Sequence, residues 1–159
     1  MKTNAARMLE ALKISFTLKE YEVDEEDLSA PSVAAKVGLP AEQVFKTLLA
    51  KGDKGGHLFA VVPADCELDF KALAKASGDR SVEMVPLAQV QPLTGYIRGG
   101  VTVLGAKKAF RTYVHDTALS TEVISVSAGV RGTQIFVNPS DYVRATSATV
   151  CKIARKSES

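Results

Sequence analysis

The sequence predicts a mixed α+β fold: a single domain, 1–159, built on a curved, mixed β-sheet flanked by short helices. Three observations predict it. Apolar runs of strand length are interspersed with short amphipathic segments of helical period. Several strands are joined by links of hairpin length, the clearest being the lysine- and glycine-rich turn at 51–56. No internal repeat or linker divides the 159 residues, a length that can bury a full core without metals or disulfides.

Each element has a local reason. Asn4 is placed to cap a first helix through about Lys13, with Ala5, Met8, Leu9 and Leu12 on one face. Residues 14–23 read as a strand with Phe16 and Leu18 inward and Tyr21 near its far end. The acidic run 24–27 reads as a solvated loop. Ser29-Ala30-Pro31-Ser32 opens a helix over 32–37 that Gly38 stops, and 40–43 adds a turn. A strand over 44–50 and its return over 57–62 flank the hairpin turn, with His57 at the surface. A helix over 68–77 follows, with Asp69 as cap, Phe70, Leu73 and Ala74 inward and Gly78 ending it. A short strand at 81–85 and a helical turn at 86–90, led by Pro86, precede a glycine-rich stretch. Strands at 112–115, 122–126 and 134–138, a short helix from Asn138 to about Ala145 and a strand at 149–153 complete the chain, with 155–159 expected to fray.

Composition narrows the function classes. Apolar residues make up 46% and charged residues 24%, the balance of a soluble globular protein. A net charge of +2 gives no strong polyelectrolyte attraction to long nucleic acid, although reading a small end of one would not need it. Cys66 and Cys151 are too few and too isolated for a zinc site or a disulfide framework. Neither a signal peptide nor a run of membrane-spanning length is visible, so a cytoplasmic location is the expectation.

The chemistry is concentrated at Lys46. It interrupts the apolar strand 44–50, on the face that also carries Val44, Leu48 and Ala50. Burying an ammonium is costly unless it reaches a cleft, a carboxylate or an anionic ligand, or unless an edge strand lets its stem reach water. Pattern alone leaves both open. Glycines cluster at 95–105 and 129–132, where successive N–H groups can converge on an anion or carbonyl, or where the sheet merely bends. Neither stretch has the spacing of a P-loop or a dinucleotide fingerprint. There is no Gly-x-Ser-x-Gly elbow, and His57 and His115 lie far apart. An enzyme of this composition would hold a labile substrate with backbone donors and a lysine.

Phe45-Lys46-Thr47-Leu48-Leu49, Thr94-Gly95-Tyr96-x-x-Gly99-Gly100-x-x-x-Leu104-Gly105 and Ser127-x-Gly129-x-Arg131-Gly132 occur in this order. Together they resemble the YbaK family of aminoacyl-tRNA deacylases, relatives of the editing domain inserted in bacterial prolyl-tRNA synthetases. The likeness runs from the first helix to about Ile153. It implies a free-standing α+β domain that removes the wrong amino acid from charged tRNA, chiefly cysteine from tRNA(Pro). In that branch the substrate's own thiol attacks the ester and a cyclic thiolactone leaves, with no metal or cofactor. The implied partners are the 3′ end of aminoacyl-tRNA and prolyl-tRNA synthetase. By position, Lys46 matches the essential lysine that holds the terminal nucleotide and ester, and Tyr21 a substrate-contacting tyrosine. Gly99 matches the glycine whose backbone lines the aminoacyl pocket, in a loop shaped by Gly95, Tyr96 and Gly100. Ser127, Gly129, Arg131 and Gly132 match the second loop bordering it. The sequence departs from the family pattern at Val103 (commonly Pro), at Gln134 (acidic in cysteine-specific members) and at Arg98 (usually small and apolar). These departures keep clearance of alanine or another small amino acid by water attack open, and a non-catalytic module that grips a tRNA end or a synthetase is the alternative from a different class.

Overall fold

The computed structural model describes residues 3–157. In chain order these form α1 (Asn4–Ala11), β1 (Phe16–Glu20), α2 (Ala30–Val37), β2 (Phe45–Gly52), β3 (Gly56–Pro63) and β4 (Cys66–Leu68). Then come α3 (Phe70–Ser77), β5 (Val82–Met84), α4 (Leu87–Thr94), β6 (Arg111–His115) and β7 (Ile124–Ser127). The last elements are β8 (Thr133–Val137), α5 (Pro139–Thr146), β9 (Thr149–Cys151) and β10 (Ala154–Lys156). This is the α+β domain that the sequence predicts, but its strands divide into three sheets. A five-stranded mixed sheet has the order β5-β2-β3-β6-β9, beside β1-β8-β7 and the pair β10-β4. In the large sheet the β2–β3 hairpin is antiparallel, whereas β3–β6 and β6–β9 are parallel. A single parallel bridge, Val44 to Ser125, ties the large sheet to the three-stranded one.

The apolar run of β2 and β3 is explained by burial on both faces. Phe45 and Val61 join Leu9, Val114, Ile124, Ile135 and Tyr142 in one core, and Ala50, Leu58, Ala60 and Val62 join Leu73 and Ile153 in another. The hairpin between them is held from outside the strands. The buried Asp79 carboxylate accepts from the Lys54 and Gly55 amides at 2.9 and 2.7 Å, from Ser77 Oγ at 2.6 Å and from the Arg111 guanidinium at 2.8 Å.

Local expectations fail where neighbours in space decide. Thr3, not Asn4, caps α1, its Oγ1 accepting from the Ala6 amide at 3.2 Å. Leu12, Leu18 and Phe70 are 47%, 38% and 40% exposed, not inward. Leu12 lies beyond the last turn of α1, Leu18 on an outer strand and Phe70 at the first position of α3. The turn at 86–90 grows into α4, which continues through Pro92 to a left-handed Gly95. Arg155 and Lys156 do not fray: they pair with Glu67 and Cys66 across the β10–β4 ladder, reinforced by Arg155–Glu67 and Lys156–Asp65 ion pairs. The expected fraying of 158–159 and the mixed start at Met1-Lys2 fall outside the described residues. Cys66 and Cys151 are free thiols, and no helix among the described residues is long and apolar enough to cross a membrane.

Candidate active site

β5 pairs with β2 only from Ala50 to Gly52, and β7 bridges to the start of this strand only at Val44–Ser125. Between these points no strand pairs with that edge of β2 among the described residues. A cavity of about 540 Å³ opens there and is lined by every residue from Val44 to Leu49. Small-molecule sites commonly occupy about 300–1,000 Å³. The lining is completed by 26–31 and Val33, by Met84 to Val90 in part, by Arg98, Gly99 and Val101, and by Ser127 and Gln134.

Lys46 is half-buried in this wall, and its ammonium makes no hydrogen bond or ion pair among the described residues. Burial pushes its pKa below the ordinary lysine value, opposed in part by the acidic groups of Cys66, Glu67 and Asp65. The two options left open for this lysine thus merge: it stands on a strand edge, and that edge is a cleft. Ser127, also in the lining, accepts the Gly129 amide on its Oγ at 3.1 Å. Gln134 is buried, and its Oε1 accepts from Ser125 Oγ at 2.8 Å, which leaves the Nε2 amide as its uncommitted donor. No histidine or cysteine among the described residues lines the cavity.

The two glycine-rich bends clasp each other behind and beside the cavity. Gly99 has φ +89°, and a Cβ there would approach Arg131 Cγ to 3.1 Å, because the Arg131 stem lies across it. Arg131 Nε donates to the Arg98 carbonyl at 2.8 Å, closing the contact. At Gly129, φ +97°, a Cβ would come within 2.8 Å of the Tyr96 ring. That ring is buried, and its hydroxyl donates to the Leu104 carbonyl at 2.7 Å.

Of the residues expected at the site, Lys46, Gly99 and Ser127 line the cavity together. Arg131 lines an adjoining groove with Arg98. Gly95 caps α4, Tyr96 and Gly129 pack on each other, and a Cβ on Gly100 would meet the Val130 backbone. Tyr21 packs on the cluster of Val33 and Val44, its amide donates to the Gly132 carbonyl at 2.9 Å, and neither residue lines the cavity. The acidic run read as a solvated loop has a part that was missed: Glu26 and Asp27 stand at the cavity rim. The Ser29 hydroxyl and amide hold the Asp27 carboxyl below its usual range. Nothing in its local pattern separates it from a plain surface loop.

Fold and site define an α+β domain in which an open strand edge lines a cavity and carries an unpaired lysine in its wall. The chain belongs to the aminoacyl-tRNA editing domain family, whose model matches residues 25–145 and so takes in β2, both bends and most of α5. Over 155 residues it is 44% identical to the "Putative Cys-tRNA(Pro)/Cys-tRNA(Cys) deacylase EbsC" of Enterococcus faecalis, covering 98% of this chain and 94% of that one. The crystal structure of a hypothetical protein superposes with a TM-score of 0.87 at 22% identity, covering 96% of this chain and all (100%) of the other. That of a "putative trans-editing enzyme for prolyl tRNA synthetase" superposes with a TM-score of 0.80 at 21% identity, covering 99% of each chain. At such identities these two likenesses concern the fold.

Proposed function

We propose that this protein is a trans-editing deacylase that clears a mischarged amino acid from aminoacyl-tRNA, with cysteine on tRNA(Pro) as its principal substrate. The observation that carries this reading is an unpaired, half-buried Lys46 in a cavity whose lining offers no histidine or cysteine. With no histidine or cysteine among the described residues of the lining, and with its Asp27–Ser29 contact built on a carboxyl of lowered pKa and so a poor base, the attacking atom is taken to arrive with the substrate or as water. A cysteinyl ester brings its own: the thiolate sulfur attacks the ester carbonyl carbon, a C–S bond forms and the C–O bond to the ribose breaks. The proton lost by the thiol ends on the departing ribose oxygen, and the products are a cyclic thiolactone and free tRNA. Holding sulfur and carbonyl in one conformer supplies much of the acceleration, since effective molarities of well-oriented intramolecular reactions reach about 10⁵–10⁸ M. Lys46 fits the role of stabilising negative charge on the carbonyl oxygen and anchoring the terminal nucleotide. The close similarity to the Enterococcus faecalis protein, by its name, supports cysteine as the amino acid. The neutral Gln134 amide in the lining supports a second reading, water-driven clearance of alanine.

The test is single-turnover deacylation of Cys-tRNA(Pro) and Ala-tRNA(Pro) by the full chain and by Lys46→Ala. Cysteine release that falls at least 100-fold in Lys46→Ala, with the fold intact by circular dichroism, is the expected result. Turnover of Ala-tRNA(Pro) at a rate like that of Cys-tRNA(Pro) would exclude an obligatory thiol, and turnover of neither would remove the proposal. Prolyl-tRNA synthetase, acting on the same tRNA in the cytoplasm, is the proposed working partner.

A further inference from the structure

The cavity does not end at its rim. It opens into a second depression along α4, and the two share Leu28, Leu87, Val90 and Arg98. In this outer groove Leu87 is 60% and Ile97 44% exposed, two large apolar side chains left bare. Two guanidiniums accompany them. Arg131 commits only its Nε, at 2.8 Å to the Arg98 carbonyl, so its stem is fixed while its terminal amines stay free. The Arg98 side chain makes no hydrogen bond or ion pair among the described residues. Lys107, outside the lining, donates from Nζ to the carbonyl of Pro92, a lining residue, at 3.4 Å. The acid in the lining, Glu25, pairs with neither arginine.

We infer that this outer groove holds the single-stranded nucleotides that precede the esterified terminal nucleotide, with Arg98 and Arg131 on phosphodiesters and Leu87 and Ile97 against a base. The inference rests on the proposed function, because it takes the ester to lie in the inner cavity. Three features favour RNA over a protein partner. The groove is continuous with the cavity, so a strand whose tip is inside has a way out along it. Its cations are unpaired forks suited to phosphate oxygens. Its apolar floor is small, as one base requires. With a net charge of only +2 the whole chain contributes little general attraction, so these few cations carry the RNA contact.

The test uses the full chain and the double variant Arg98→Gln/Arg131→Gln, checked for an unchanged melting curve. One measurement compares cysteine release from a charged minihelix ending in CCA with release from the cysteinyl ester of adenosine alone. The expected result is that the advantage of the long substrate over the short one falls about tenfold in the variant. An equal fall on both substrates overturns the inference. The second measurement follows binding of the uncharged minihelix by fluorescence anisotropy across a salt series. The slope of log K against log salt should shrink by about 1.4, roughly 0.7 for each single-strand phosphate that the variant no longer neutralises. An unchanged slope, or no binding by the wild-type chain, overturns the groove even if deacylation persists. Conversely, binding that depends on the arginines without any turnover removes the deacylase reading and keeps the groove. If the chain instead self-associates and Leu87→Asp alone makes it monomeric with RNA binding intact, the groove is a protein interface and the inference falls.

Discussion

Tyr96→Phe is a sharp test of how the first bend is held. The substitution removes one oxygen and leaves the ring that packs against Gly129. The bond that disappears runs from the hydroxyl to the Leu104 carbonyl and is 2.7 Å long. Leu104 is fully buried, and its carbonyl takes no other hydrogen bond among the described residues. Burial also raises the Tyr96 pKa, so the phenol remains a donor through the working pH range. An orphaned buried acceptor costs about 1–3 kcal/mol, and no cavity term adds to it because no carbon is deleted. For a chain of this size the melting temperature should drop by roughly 2–4 °C per kcal/mol. Because the bond spans the segment that carries Arg98 and Gly99, amide exchange across 97–104 should quicken, and kcat/KM should fall in parallel. Urea unfolding at constant m, hydrogen exchange by mass spectrometry and the deacylation assay measure the three effects. A stability loss below about 0.5 kcal/mol, with exchange across 97–104 unchanged, would refute the argument.

Two further perturbations probe the frame around the site. His115 is buried, and its Nδ1 accepts from the Ile153 and Ala154 amides, both at 3.2 Å, which requires an unprotonated nitrogen. Burial, opposed by Asp116, holds its pKa below the ordinary 6.5. The unfolded chain therefore binds the proton first as pH falls: the stabilisation is full above pH 6.5 and is lost below it, through the folded pKa. In His115→Asn, which keeps an acceptor oxygen but cannot titrate, urea midpoints should be flatter between pH 7.5 and 5.5 (roughly a unit either side of the histidine value). Parallel profiles for both proteins would count against this account. Asp79→Ala should cost about 3–5 kcal/mol, because it strips the partner from Arg111, whose side chain is 26% exposed, and leaves the Lys54 and Gly55 amides unpaired. A urea-unfolding loss under about 1 kcal/mol would show that water replaces the carboxylate.

What the sequence determined by itself is local. Ser29, Asp69 and Asn138 cap α2, α3 and α5 through the amide three residues on, a contact inside one helical turn. The β2–β3 hairpin was legible because two apolar runs flank a turn of glycines and lysines, and Lys46 stood out against that run. Tertiary structure decided the rest, where partners lie far apart in the chain. The sheet partition is of this kind: β10 pairs with β4 because Ala154 meets Leu68, and the last strand is thereby rescued from fraying. So are the outward Leu18 and Phe70, whose periodicity could not say which face a neighbour would cover. The site follows the same rule. The sequence supplied a lysine and two flexible bends, but the open edge of β2, the rim at Glu26 and Asp27 and the lock of Arg131 over Gly99 exist only once distant segments meet. A capping bond is encoded within four residues, whereas a cavity is what packing leaves uncovered, and no stretch of chain specifies that alone.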